Sequence, residues 1–185
     1  MRQLVDAARV QEFMRAFGRE AGAEVRVYLT GGATAVLEGW RATTADIDLK
    51  IVPDSDRALQ SIPELKEKLL INVELASPGD FIPELPGWQD RSRFIAAEGR
   101  ASFFHYDLYA QALAKIERGH VKDLADVREM FARRLIEAPR LQALFEEIEP
   151  RLFRYPAIDP KSFRRAVEDA VGGQKQGAPG VPAPV

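Results

Sequence analysis

Two aspartates one residue apart inside an apolar run constrain this chain more than any other feature. Asp46-Ile47-Asp48-Leu49-Lys50-Ile51 alternates polar and apolar side chains, the period of a strand with one face in a core. Residues i and i+2 of a strand project to the same face, so Asp46 and Asp48 stand side by side. Aspartate is disfavoured in strands, and adjacent carboxylates repel unless a cation lies between them. Hard oxygen ligands with room left for phosphate oxygens suit Mg²⁺ (or Mn²⁺). Upstream, the apolar run Val25-Arg26-Val27-Tyr28-Leu29 closes on Gly31-Gly32 and opens a short helix-like run from Ala33 to Glu38. Glycines let a backbone approach a phosphate, and a helix start offers free N–H donors. The plainer alternative makes the acids solvent-facing neighbours of Lys50, and the glycines a tight turn such as any strand-to-helix connection uses.

The remaining elements follow from periodicity and punctuation. Leu4, Val5, Ala8, Val10, Phe13, Met14 and Phe17 have helical spacing, which predicts an amphipathic helix from Gln3 to Glu20. Strands are expected at Val25–Leu29, Asp46–Val52 and Leu70–Ala76, with two short helices, Arg57–Ser61 and Pro63–Leu69, between the last two. Phe81–Gln89 reads as an ordered loop over the sheet. Glu98-Gly99-Arg100 is a hairpin turn between Arg93–Ala96 and Ala101–Tyr106. Helices are then predicted at Leu108–Arg118, Val121–Arg134, Pro139–Leu152 and Pro160–Val171. The expected fold is α+β: a small mixed sheet with helices on one side, residues 1–107, followed by a helical part, residues 108–171. Residues 172–185 are rich in Gly, Pro, Ala and Gln and are expected to form a disordered tail.

Composition narrows the function classes. With 185 residues, 46% hydrophobic and 29% charged, the chain can bury a core. A net charge of −2 argues against a generally basic nucleic-acid-coating surface. There is no cysteine, which excludes disulfides, thiolate catalysis and sulfur-ligated zinc. No signal-like core or membrane-length run is present, so a cytoplasmic protein without membrane partners is expected. His105 and His120, the only histidines, lack acids at ligand spacing and read as packing or surface residues. Trp40 and Trp88 offer rings on which a base could stack, but core packing is the commoner fate of such residues.

Gly-Gly, a spacer and Asp-Ile-Asp on the next strand resemble the signature of the polymerase-β-type nucleotidyltransferases. The form Gly-Gly-x-Thr-Ala, Arg, Thr-x-Asp-Ile-Asp-Leu is most similar to the AbiEii-like toxin nucleotidyltransferases. The resemblance is specific over Tyr28–Ile51 and weaker near Lys115 and Asp123. It implies that Asp46 and Asp48 hold the metal and Gly31-Gly32 seats a triphosphate, with Thr34, Arg41 and Thr44 helping to position it. Many members carry serine where this chain has Gly32. A third carboxylate usually comes from a neighbouring strand; Glu74 matches it, as metal ligand or as the base for an acceptor hydroxyl. Lys115 would contact phosphate and Asp123 would lie near the nucleotide, whereas the plainer alternative is a solvated helix face with Asp123 as a cap. On the first reading Lys115→Ala costs no more stability than a surface change, about 0.5 kcal/mol. The implied activity moves an NMP from an NTP to a hydroxyl on RNA or protein and releases pyrophosphate, with an antitoxin as partner. The alternatives are a nucleotide-binding or antitoxin-like module without turnover, and a structural α+β protein.

Overall fold

The computed structural model describes residues 3–175, which group into two compact units divided after Gln111. The first unit is built on a five-stranded mixed sheet. Its elements are α1 (Ala7–Glu20), β1 (Val25–Thr30), α2 (Gly31–Leu37), β2 (Asp46–Val52), α3 (Asp56–Leu69), β3 (Asn72–Leu75), α4 (Trp88–Arg91), β4 (Arg93–Glu98) and β5 (Ala101–His105). The strand order is β3-β2-β1-β5-β4. β1 runs antiparallel to β2 and parallel to β5, β2 is parallel to β3, and β4 is antiparallel to β5. The α+β class expected from the sequence is the class observed.

One sheet face carries Val27, Leu29, Ile47, Leu49, Ile51 and Phe103, all buried, and α1 and α3 share that core. Phe17 of α1 meets Phe103 edge-on at 6.1 Å. Over the opposite face lies the segment expected to be a loop. That segment, residues 81–89, follows a 3₁₀ turn at Pro78–Asp80 and runs into the single turn α4, whose Trp88 stacks on Tyr106 at 4.2 Å and meets Tyr28 edge-on at 4.7 Å. Arg91 pins this cover by donating through Nε and Nη2 to Asp107 (3.0 and 2.7 Å). Burial, opposed by that guanidinium, leaves the Asp107 carboxyl above its ordinary pKa.

Several boundaries differ from the sequence expectation for local reasons. α1 begins at Ala7 rather than Gln3, because the Asp6 carboxylate accepts the Arg9 N–H at 2.9 Å as an N-cap. Val5 instead pairs with Thr44 through two backbone hydrogen bonds. The two short helices after Ser55 are one, α3. Pro63 lies on its exposed side, where the missing N–H is cheapest, while Ile62 and Leu65 remain in the core. β3 is shorter than expected because Leu70, at φ +52°, and the Ile71 N–H still cap α3.

The second unit is helical. α5 (Leu108–Arg118) crosses the division, followed by α6 (Val121–Ala132), α7 (Ala138–Ile148), a 3₁₀ turn at Glu149–Arg154 and α8 (Pro160–Lys175). The helix expected through Leu152 stops at Ile148, where Pro150 enters a 3₁₀ turn. α8 continues past Gly172 to Lys175, so the expected tail begins as helix; residues 176–185 lie outside the described residues. Among the described residues no helix is long and apolar enough to cross a membrane.

Candidate active site

The site grows from the register of three strands. Alternation along β2 sends Ile47, Leu49 and Ile51 into the core and leaves Asp46, Asp48 and Lys50 half-buried on the other face. The parallel pairing of β2 with β3 sets Asp46 opposite Asn72 and Asp48 opposite Glu74. Three carboxylates and one carboxamide therefore share one patch of one face. Thr30, opposite Asp48 on β1, leads directly into Gly31. Lys50 is drawn aside, bonded to Glu84 at 2.6 Å and lying over the Trp88 ring at 5.3 Å.

Asn72 organises the acids. Its Nδ2 donates to Asp46 Oδ1 at 2.6 Å and to Glu74 Oε1 at 2.7 Å, so the positive edge of an amide stands between two carboxylates. Among the described residues no three acidic or histidine side chains are drawn together as a metal centre. The donor chemistry nevertheless fits a hard cation: it is all oxygen, half-exposed, and already arranged around partial positive charge. Asp46 and Asp48 are the residues best placed to hold one, with Glu74 beside them.

The glycine pair is required by contact with this face. Gly31 has φ +59°, a left-handed conformation that glycine tolerates best, and a Cβ there would come 2.7 Å from Asp48 Oδ2. A Cβ on Gly32 would come 2.0 Å from Thr44 Oγ1. The volume a serine at position 32 would need is thus held by the Thr44 hydroxyl, and the turn lies directly against Asp48 and Thr44. Arg41 is half-buried and gives its backbone N–H to Ala35.

Thr34 has a different place from the one expected. It is fully buried, and its hydroxyl lies 3.2 Å from the Leu29 carbonyl, 3.3 Å from His105 Nδ1 and 3.3 Å from Gln111 Nε2. It supports the turn from beneath. His105 in turn lies 3.1 Å from Glu38, whose carboxylate also accepts from Arg93 at 3.0 Å. Burial, and secondarily the Arg93 charge, lower the His105 pKa to about 4, so the imidazole is neutral near pH 7.

Lys115 and Asp123 are brought together in the second unit, with a partner the sequence reading passed over. Lys115 Nζ donates to Asp126 at 2.7 Å and Asp123 at 3.2 Å, and Arg118 reaches Asp123 at 3.0 Å. Lys115 and Asp126 are 3% and 2% exposed. The ammonium is therefore a buried tie between α5 and α6, and the solvated-face alternative fails for Lys115.

Asn72 and Gln111 were missed. Asn72 carried a readable signal, since Asn72-Val73-Glu74 repeats the i, i+2 spacing of Asp46-Ile47-Asp48. Gln111 carried none, because its partner Gly31 is 80 positions away. Neither a curated protein nor a solved structure matches the chain. A family model does so over residues 8–168, a span reaching from α1 across the acid face and the glycine turn into α8. That family is described as "Nucleotidyltransferase of unknown function (DUF6036)", and with most of its length matched the chain belongs to it.

Proposed function

We propose that the chain transfers a nucleoside monophosphate from an NTP to a hydroxyl on RNA or protein, with Mg²⁺ or Mn²⁺ as cofactor. The observation that carries this reading is the abutment of the Gly31-Gly32 turn on Asp48, within the face shared by Asp46, Asn72 and Glu74. A divalent cation there would supply charge neutralisation for the phosphates and the attacked phosphorus. Asp46 and Asp48 hold it, and the bare Cα of Gly31 leaves the triphosphate a close approach to them. Glu74 accepts the proton of the acceptor hydroxyl as that oxygen bonds to the α-phosphorus. The bond to the β-phosphate oxygen breaks, and pyrophosphate leaves with the electron pair. Such catalysis is mostly positioning and electrostatics. Lys115 and Asp123, buried against one another, enter this scheme as a structural tie.

The likeness of Tyr28–Ile51 to the AbiEii-like toxins supports a toxin-type activity in the cytoplasm, restrained by an antitoxin. A second reading, a nucleotide-binding module without turnover, is favoured by one observation: Asn72 already engages two of the three acids. Calorimetry with the four NTPs plus Mg²⁺ should show binding by the wild type and loss in Asp46→Asn/Asp48→Asn, whose melting temperature should hold or rise as like charges are removed. Incubation with α-phosphate-labelled NTPs, total RNA and co-expressed neighbouring proteins separates the two readings. Label transfer supports the enzyme, and binding without pyrophosphate release supports the module. Equal NTP affinity in the double variant refutes both.

A further inference from the structure

We infer that Gln111 is a positioning residue for the nucleotide site: it holds the Gly31 N–H away from the ligand and sets the Gly31 Cα against Asp48. The inference rests on the nucleotide-binding reading above. Gln111 is 1% exposed, and both ends of its amide are committed. Its Oε1 accepts the Gly31 N–H at 2.9 Å; its Nε2 donates to the Tyr106 carbonyl at 2.8 Å and lies 3.3 Å from the Thr34 hydroxyl. A backbone carbonyl can only accept, so Tyr106 fixes which end of the amide is nitrogen and leaves the oxygen to face Gly31.

Gly31 is therefore gripped from two directions. Its N–H is bound by Gln111, and its Cα lies so near the Asp48 carboxylate that a Cβ would come within 2.7 Å. With φ at +59° the residue sits in the left-handed well, which glycine enters without strain, so the two contacts select this conformation from the several open to glycine. Tyr106 is bonded back to the sheet, its N–H donating to the Leu29 carbonyl at 2.8 Å. The grip thus runs from β1 through Tyr106 and Gln111 to the turn that closes β1. Two consequences follow. The Gly31 N–H is not a phosphate ligand, whatever the turn does for the anion otherwise. The turn is also set in place before nucleotide arrives, so its fixation adds nothing to the cost of binding.

Gln111→Glu tests this with little change of shape. The ionised carboxylate still accepts from Gly31 but cannot donate to the Tyr106 carbonyl; the protonated carboxyl can do both. Mg–ATP affinity of Gln111→Glu, measured by calorimetry, should be at least tenfold weaker than wild type at pH 8 and should recover toward it as pH falls to 5.5. His105, Asp48 and Asp107, which lie against the amide's partners or beside it in the chain, are present in both proteins, and repeating the comparison with His105→Gln in both separates the imidazole, which the new carboxylate would perturb. A purely packing role predicts the same deficit at every pH. In parallel, the Gly31 amide resonance of ¹⁵N-labelled wild type should keep its hydrogen-bonded shift when Mg–ATP is added. Equal affinity of the variant at pH 8, a deficit that ignores pH, or a Gly31 amide that changes partner on nucleotide addition overturns the inference. If Gln111→Glu does not fold, the wild-type amide titration decides alone. If the wild type binds none of the four Mg–NTPs, the functional reading falls and this role with it. A wild type that binds while Gln111→Glu matches it sinks only the role of Gln111.

Discussion

Gly32→Ala is the sharpest perturbation of the turn, because its two energetic terms oppose each other and one of them can be switched off. Gly32 lies inside α2 without the positive φ of Gly31, so alanine is compatible with its backbone and should gain about 1 kcal/mol of helix propensity. Against this, the new methyl would lie 2.0 Å from Thr44 Oγ1 and 2.7 Å from Thr44 Cβ. Rotating Thr44 about χ1 clears the oxygen but not the Cβ, and the Thr44 backbone is clamped to Val5 by hydrogen bonds of 2.8 and 2.9 Å. Overpacking of this kind costs about 2–3 kcal/mol, which leaves a net destabilisation of about 1–2 kcal/mol, or about 2–8 °C in melting temperature. Thr44→Gly removes both clashing atoms. In that background Gly32→Ala should become neutral or stabilising by up to about 1 kcal/mol. Urea titrations of the four proteins of this double-mutant cycle, with m-values checked for constancy, measure the coupling at about 1–3 kcal/mol. Additivity within about 0.5 kcal/mol would show that the turn does not press on Thr44 and would remove the contact on which the site is built.

Three further outcomes are expected. Lys115→Ala should destabilise by about 3–5 kcal/mol, because it takes the ammonium away from buried Asp126 while Asp123 keeps Arg118; a melting temperature within 1–2 °C of wild type, under about 1 kcal/mol, refutes the buried tie. Stability should fall with acidification through His105, whose pKa is 6.5 unfolded and about 4 folded. The imidazole stays neutral in the fold while the unfolded chain takes up a proton, so the contribution is full above pH 6.5 and is lost as pH drops to about 4, at up to about 1.4 kcal/mol per pH unit. The stability difference between wild type and His105→Gln should follow that window, and a flat difference refutes it. Glu74→Gln should retain Mg–NTP binding within about threefold while slowing transfer by 10²–10⁴-fold, roughly the range of a lost general base; unchanged transfer assigns the proton to another group.

The fold and the site were legible to different depths, for physical reasons. The acid pair, the glycine turn and the strand that ends in it are local patterns of period two and of single residues, and these could be read directly. So could the core face, since Ile47, Leu49 and Ile51 follow from the same alternation that exposes Asp46 and Asp48. Helix ends were misplaced where a side chain decides them, as Asp6 does for α1. Pro63 misled because its cost depends on which side of α3 it faces, a tertiary fact. Thr34 and Thr44 look alike in sequence, four residues after Thr30 and two before Asp46. One hydroxyl is buried beneath the turn and the other presses on it, and only the packing of β5 and α5 separates them.

The long-range polar partners were not legible at all, and they show where specificity in this fold is stored. Gly31 to Gln111, Thr34 to His105 and Lys50 to Glu84 join residues 80, 71 and 34 positions apart. No periodicity links such pairs, yet each bears on the acid face: Gln111 and His105 support the glycine turn from below, and Glu84 draws a lysine away from the two aspartates. Asp46 and Glu74 face Asn72, whose amide is neutral and bound to them by two hydrogen bonds rather than by a full charge. A neutral group of that kind costs far less to displace than an ammonium, which is the condition the proposed metal–nucleotide site has to meet.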